Sequence, residues 1–168
     1  AVNHGLRRFR EVSFAAAYPL GQVLLSDPAA PVDVRVEGWN PLVPGDAEAS
    51  GIPVAALRFV VVNKTDRPLK AAICGTLPNF IGADGSGTAK DWKGDPVTTG
   101  PVKNRNEFRA TDALRGVFMT SAGVDPKHEA WGTMALAAPA GTRGTSRTSW
   151  LAAGWGTSLL DFWDDFAA

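Results

Sequence analysis

At 168 residues the chain has the length of about one domain. An apolar fraction of 45% and a charged fraction of 20% place it among ordinary globular proteins rather than disordered ones. Its 17 basic and 17 acidic residues cancel, which excludes the global field that draws a protein to nucleic acid or to anionic lipid.

The opening residues, "AVNHGLRRFREV", lack the apolar run of a signal peptide. No stretch approaches the ~20 consecutive apolar residues of a membrane-spanning helix. Arg7, Arg8 and Arg10 form the densest basic run, either a solvated edge or a phosphate contact. The sequence closes on "SLLDFWDDFAA", still apolar at helical spacing and without a capping glycine or proline. Both ends therefore read as those of a segment from a longer protein.

The clearest local signal is "PVDVRVEGW". Val32, Val34 and Val36 fall on one face and Asp33, Arg35 and Glu37 on the other, which predicts a strand with one wet face. Pro41 and Pro44 end it near Asn40. "PGDAEASG" supplies turn chemistry, because Asp and Ser bond nearby backbone groups and Gly accepts positive φ.

From Pro53 to Val62 the chain is almost continuously apolar. Leu57, Phe59 and Val61 share one face, with Arg58, Val60 and Val62 on the other. A run of this kind fits a central strand covered on both sides, in which truncating a buried Leu57 to Ala costs about 2–5 kcal/mol. "NKTDRP" reads as a hairpin loop into a strand over "LKAAICGTL". Cys74 within it reads as a small buried thiol. A nucleophilic role needs a neighbouring histidine, and the chain has only His4 and His128. A lone cysteine forms no internal disulfide, which leans towards the cytoplasm.

Residues 82–106 turn polar and glycine-rich and predict a long loop. "RGVFMTS" and "WGTMALAA" return to strand composition around the turn "AGVDPKHEA", and "PAGTRGTSRTSW" reads as a turn into a further short strand. A helix is predicted from Thr157. Short strands, glycine and proline turns and little helix together predict an all-β fold, an antiparallel β-sandwich with a long loop and a short C-terminal helix. The sandwich is expected over 1–156, with 157–168 beginning a helical linker.

Candidate chemistry is sparse. No HxxxH or CxxC spacing marks a metal site, and "ADGSGT" lacks the alternating carboxylates of a calcium loop. "GADGSGTAK" has neither the spacing nor the following helix of a phosphate loop, so no cofactor is expected. Glu107, among Arg105 and Arg109, is either a surface ion pair or a catalytic acid, and the ion pair is the expected reading. Of the six tryptophans, Trp39, Trp131, Trp150 and Trp155 are expected in a core or interface. Trp92, in the polar loop, is either exposed or a contact for a sugar or a second domain. Trp92, Arg105 and Glu107 are thus the candidate binding residues, for sugar or interdomain contact.

The chain also resembles a known family. The resemblance is carried by Tyr18-Pro19, Asp27, Pro31-Val32, Val34, Asn40-Pro41, Pro44-Gly45-Asp46, Ser50, Pro53-Val54 and Asn63. "LPNFIG" (Leu77 to Gly82) and the closing "LLDFWDDFAA" extend it. Together they look like the N-terminal domain of glycoside hydrolase family 116, the family of non-lysosomal glucosylceramidases and bacterial β-glucosidases. The resemblance implies a two-domain enzyme acting on β-glucosides. Its β-sandwich is followed by a helical (α/α) barrel that holds the catalytic glutamate and aspartate. No position in this chain matches those acids, so no catalytic residue is assigned. The chain is expected to be a non-catalytic accessory domain. A stand-alone carbohydrate-binding module and an assembly domain are the alternatives.

Overall fold

The computed structural model describes residues 7–83, 89–90, 93, 96–97, 103–151 and 157–167. The chain divides into two compact units, Ala1–Ile73 and Cys74–Ala168.

The first unit is a four-stranded antiparallel sheet, β1 (Glu11–Ala17), β2 (Leu20–Ser26), β3 (Val32–Trp39) and β4 (Ala56–Asn63), in sequential order. A cis peptide joins Tyr18 and Pro19 in the β1–β2 turn. The register aligns Val12, Leu25, Val34 and Val61 in one row across the strands, and Phe14, Val23, Val36 and Phe59 in the next. One face of the sheet is therefore continuously apolar, as side chains alternate along every strand. A third row places Gly21 and Gly38 between Ala16 and Leu57. The two glycines leave room for large neighbours: a Cβ on Gly21 would touch the Phe14 ring at 3.5 Å, and one on Gly38 would touch Leu57 at 3.3 Å.

The opposite face carries the charges, Asp33, Arg35, Glu37 and Arg58, beside apolar Leu24, Val60 and Val62. Glu37 accepts from Arg35 Nε at 2.7 Å and faces Arg58 at 3.7 Å. Asp33 accepts from the Ser26 hydroxyl at 2.8 Å and pairs with Lys64 at 3.1 Å. These contacts, the hydroxyl first and then the ammonium, hold the Asp33 carboxyl below its ordinary range.

The connection from β3 to β4 behaves as its residues predict. Gly45 takes φ of 84°, and Asp46 caps the short helix α1 (Ala47–Ser50) by accepting from Ala49 N at 2.9 Å. Ser50 Oγ accepts from Val43 N and donates to Val43 O, closing the loop.

Three expectations for the stretch from β4 to residue 80 are corrected. β4 lies at the edge of the sheet rather than at its centre, and Leu57 is 63% exposed. Burial that would make its truncation cost several kcal/mol is not present. After the Asn63 turn, in which Asn63 Oδ1 accepts from Thr65 N at 2.9 Å, residues 68–80 form no strand. Cys74 is exposed, not buried.

The second unit contains the small ladder of β5 (Ala89–Lys90) with β6 (Pro96–Val97). Its main sheet is β7 (Asn104–Ala110), β8 (Leu114–Ser121) and β9 (Met134–Pro139), again antiparallel and in order. The expected long loop thus ends before Asn104, in a strand. "RGVFMTS" and "WGTMALAA" supply β8 and β9 as expected, whereas residues 140–151 form no further strand. Helix α2 (Thr157–Ala167) begins where predicted. Among the described residues the buried apolar side chains are Ile81 and Met119, both in this unit. The architecture is the all-β, antiparallel one with a short C-terminal helix.

Gly116 is the tightest position of this sheet. A Cβ there would collide with the Leu136 carbonyl oxygen and lie 2.6 Å from Ala137 Cα, both backbone atoms of the paired strand. Gly116→Ala is expected to destabilise the protein by about 1–3 kcal/mol, the usual cost of forcing atoms into a filled space. A shift in the denaturation midpoint equivalent to under about 0.5 kcal/mol would contradict this packing.

Candidate functional site

Strand β7 reads "NRNEFRA", and its alternation divides the candidate residues between two faces. Arg105, Glu107 and Arg109 share one face with Phe118, which lies opposite Glu107 on β8. Glu107 forms an ion pair with Arg109, and the Arg109 guanidinium sits 3.7 Å over the centre of the Phe118 ring. Both partners of the pair are more than half exposed, so the pair contributes about 0–1 kcal/mol. The structure thus brings Arg105 and Glu107 onto one strand face and occupies Glu107 with Arg109. Trp92 lies outside the described residues, as do Trp155 and His4.

The opposite face of β7 carries an amide network not anticipated from the sequence. Asn79 Nδ2 donates to Asn106 Oδ1 at 2.9 Å and to Thr120 O at 3.0 Å, while Asn79 Oδ1 accepts from Ile81 N at 3.2 Å. Asn104 Nδ2 donates to Asn79 O at 3.0 Å, and Asn106 Nδ2 to Thr148 O at 2.8 Å. The "LPNFIG" segment is thereby fastened to β7 and β8, and β7 to residue 148. Alternating asparagines in "KNRNEF" were the available signal, but Asn is depleted in strands and reads as loop.

Helix α2 is held by a second set of contacts. Asp161 accepts from Leu151 N and from Arg147 Nη1, each at 2.9 Å. Phe162 meets Trp150 edge-on, with ring centres 5.7 Å apart, and Arg147 lies 5.0 Å over the Trp150 ring. Trp150 is therefore packed as expected, whereas Trp39 and Trp131 are exposed rather than core residues. The Leu151 amide and then the Arg147 guanidinium hold the Asp161 carboxyl below its ordinary range.

The pH consequence has a definite sign. A folded-state pKa below the unfolded one adds stability above the unfolded value, and this is lost as pH falls through the folded one. Acidification from the ordinary value of 3.8 downwards is expected to free α2, seen as loss of the near-ultraviolet circular dichroism of Trp150. Asp161→Asn should lack that acid step. An identical acid profile in the two proteins would contradict the Asp161 contact.

Among the described residues no three His, Cys, Asp or Glu side chains gather as a metal site, and no helix is long and apolar enough to cross a membrane. What the units present is surface. An apolar sheet face with Phe14 70% exposed stands in the first, and a charged strand face and a latched helix in the second.

The comparison with protein families bears on that surface. The family described as "beta-glucosidase 2, glycosyl-hydrolase family 116 N-term" matches residues 3–168. No curated protein matches the chain. The match spans nearly all of the sequence, so the chain belongs to the glycosyl-hydrolase family 116 N-terminal domain family.

Proposed function

We propose that this chain is the non-catalytic N-terminal accessory domain of a β-glucosidase or glucosylceramidase-type enzyme. In this reading it supports a helical (α/α) barrel that carries the catalytic acids, and the β-glucoside is hydrolysed there. The observation that carries the proposal is the family match over residues 3–168, since an N-terminal domain of this family implies a catalytic domain in the same protein. The side-chain chemistry supports it. A hydrolytic pair of carboxylates needs one acid free to take or give a proton, and Glu107 is engaged by Arg109 on an exposed strand. In this reading the β-sandwich domain spans residues 1–156, and residues 157–168, the latched helix α2, lead on towards the catalytic domain. Arg105, exposed on β7, and Trp92 are the residues proposed to meet the sugar or the second domain.

Hydrolysis of an aryl β-glucoside tests the proposal. The full-length protein is expected to release the aglycone, and residues 1–168 alone, with a β-sheet circular dichroism spectrum as proof of folding, to release none. Turnover by the folded 168-residue chain would overturn the accessory reading and make Glu107 the residue to substitute.

A further inference from the structure

One corner of the first sheet's charged face combines an aromatic ring with polar groups. On that face Trp39 lies between Leu20 and Ala56, and Leu20 pairs in turn with Ala17. The next row of the same face, two residues along each strand, is Ala15, Gln22, Glu37 and Arg58. The alanines are too short to cover an indole, and Trp39 is 41% exposed. Ala15, Ala17, Leu20, Gln22, Glu37 and Trp39 line an open concavity of about 420 Å3, a volume in the range of small-molecule sites. Glu37 is fixed in it, accepting from Arg35 Nε at 2.7 Å and facing Arg58 at 3.7 Å. Gln22 is half-buried, and its side-chain amide has no hydrogen-bond partner among the described residues.

We propose that this corner binds a neutral pyranose ring, stacked on Trp39 with its hydroxyls bonded by Gln22, Glu37 and Arg58. An indole face is electron-rich, and a pyranose with equatorial hydroxyls offers it a flat face of positively polarised C–H bonds. The rim of such a ring carries hydroxyls that both donate and accept. Gln22 supplies a donor and an acceptor, Glu37 an acceptor and Arg58 donors, which matches that rim. Trp39 and Gln22 are diagonal neighbours across β2 and β3, about 7–8 Å apart by sheet geometry, so one ring reaches from the indole to the amide. A free anion fits less well, because Glu37 stands among the arginines and already pairs with them. The site is open and holds one ring, so affinity of about millimolar is expected. It lies within the first unit and does not depend on the accessory-domain reading.

Oxidation of tryptophan by N-bromosuccinimide in the full-length protein, located by peptide mass spectrometry, tests this. The probe is anhydroglucitol, a glucopyranose ring with no glycosidic bond to cleave. At about ten times its dissociation constant it should slow oxidation of Trp39 about tenfold. Trp131, 46% exposed in the other unit, is the internal reference and should keep its rate. Gln22→Ala removes no hydrogen bond of the fold, so Trp39 should react as before without sugar and need several-fold more sugar for the same protection. Equal protection by sorbitol, which has the hydroxyls but no ring face, would overturn the proposal. So would equal slowing at Trp131, or protection unchanged in Gln22→Ala. A Trp39 that fails to react without sugar would also overturn it, because the corner would then be covered by the rest of the protein. An inactive enzyme in the glucoside assay would refute the enzymatic reading and leave this site standing.

Discussion

The antiparallel register of β1–β4 is the constraint on which the first unit depends. Side chains alternate with period two, so a slip of one residue would move every valine of β3 to the charged side. The observed register instead aligns Leu25, Val34 and Val61, and Val23, Val36 and Phe59, while Glu37 meets Arg58 across the other face. Cross-strand pairs of β-branched and aromatic residues reinforce one another on the apolar side, and opposite charges do so on the other. Either set alone would favour the register; together they exclude its neighbours. In the second unit backbone proximity plays the same part. Gly116 lets β8 and β9 approach where any Cβ would collide, and three asparagines fasten the preceding segment to the strands.

Much of this was legible in the sequence where one local rule decided the outcome. β3 alternates valines with charges, and the turn after it combines Gly45, Asp46 and Ser50, each used as its chemistry predicts. What was not legible depends on partners distant in the chain. The apolar run of β4 fits an edge as well as a centre, because periodicity says nothing about how many strands flank it. "LKAAICGTL" has strand composition but no ladder partner. β1 ends in three alanines, poor strand formers that hairpin pairing with β2 holds extended. At the candidate site, the neighbourhood of Glu107 suggested an ion pair with Arg105 or Arg109; the strand's alternation puts both on its face, and it is Arg109 that pairs with it.

Several carboxylates of the described residues are engaged in holding structure. Among the partnered carboxylates, Asp33 is bound by a hydroxyl and an ammonium and Asp161 by an amide and a guanidinium, contacts that favour their charged forms, while Glu37 and Glu107 pair with arginines. Exposed apolar groups include Val12, Phe14, Leu57, Phe59 and Val61 on one face of the first sheet. Contiguous apolar surface of this kind marks interaction sites. Membership of an N-terminal domain family of β-glucosidases implies a catalytic domain within the same protein.

The register of the first sheet is the most direct test of this account, and cross-strand nuclear Overhauser effects would measure it. The account predicts contacts from Val36 to both Val23 and Phe59, and from Val34 to both Leu25 and Val61. Contacts from Val36 to Leu24 or Val60 instead would mean a slipped sheet, with the valines of β3 among the charges, and would contradict the division into an apolar and a charged face.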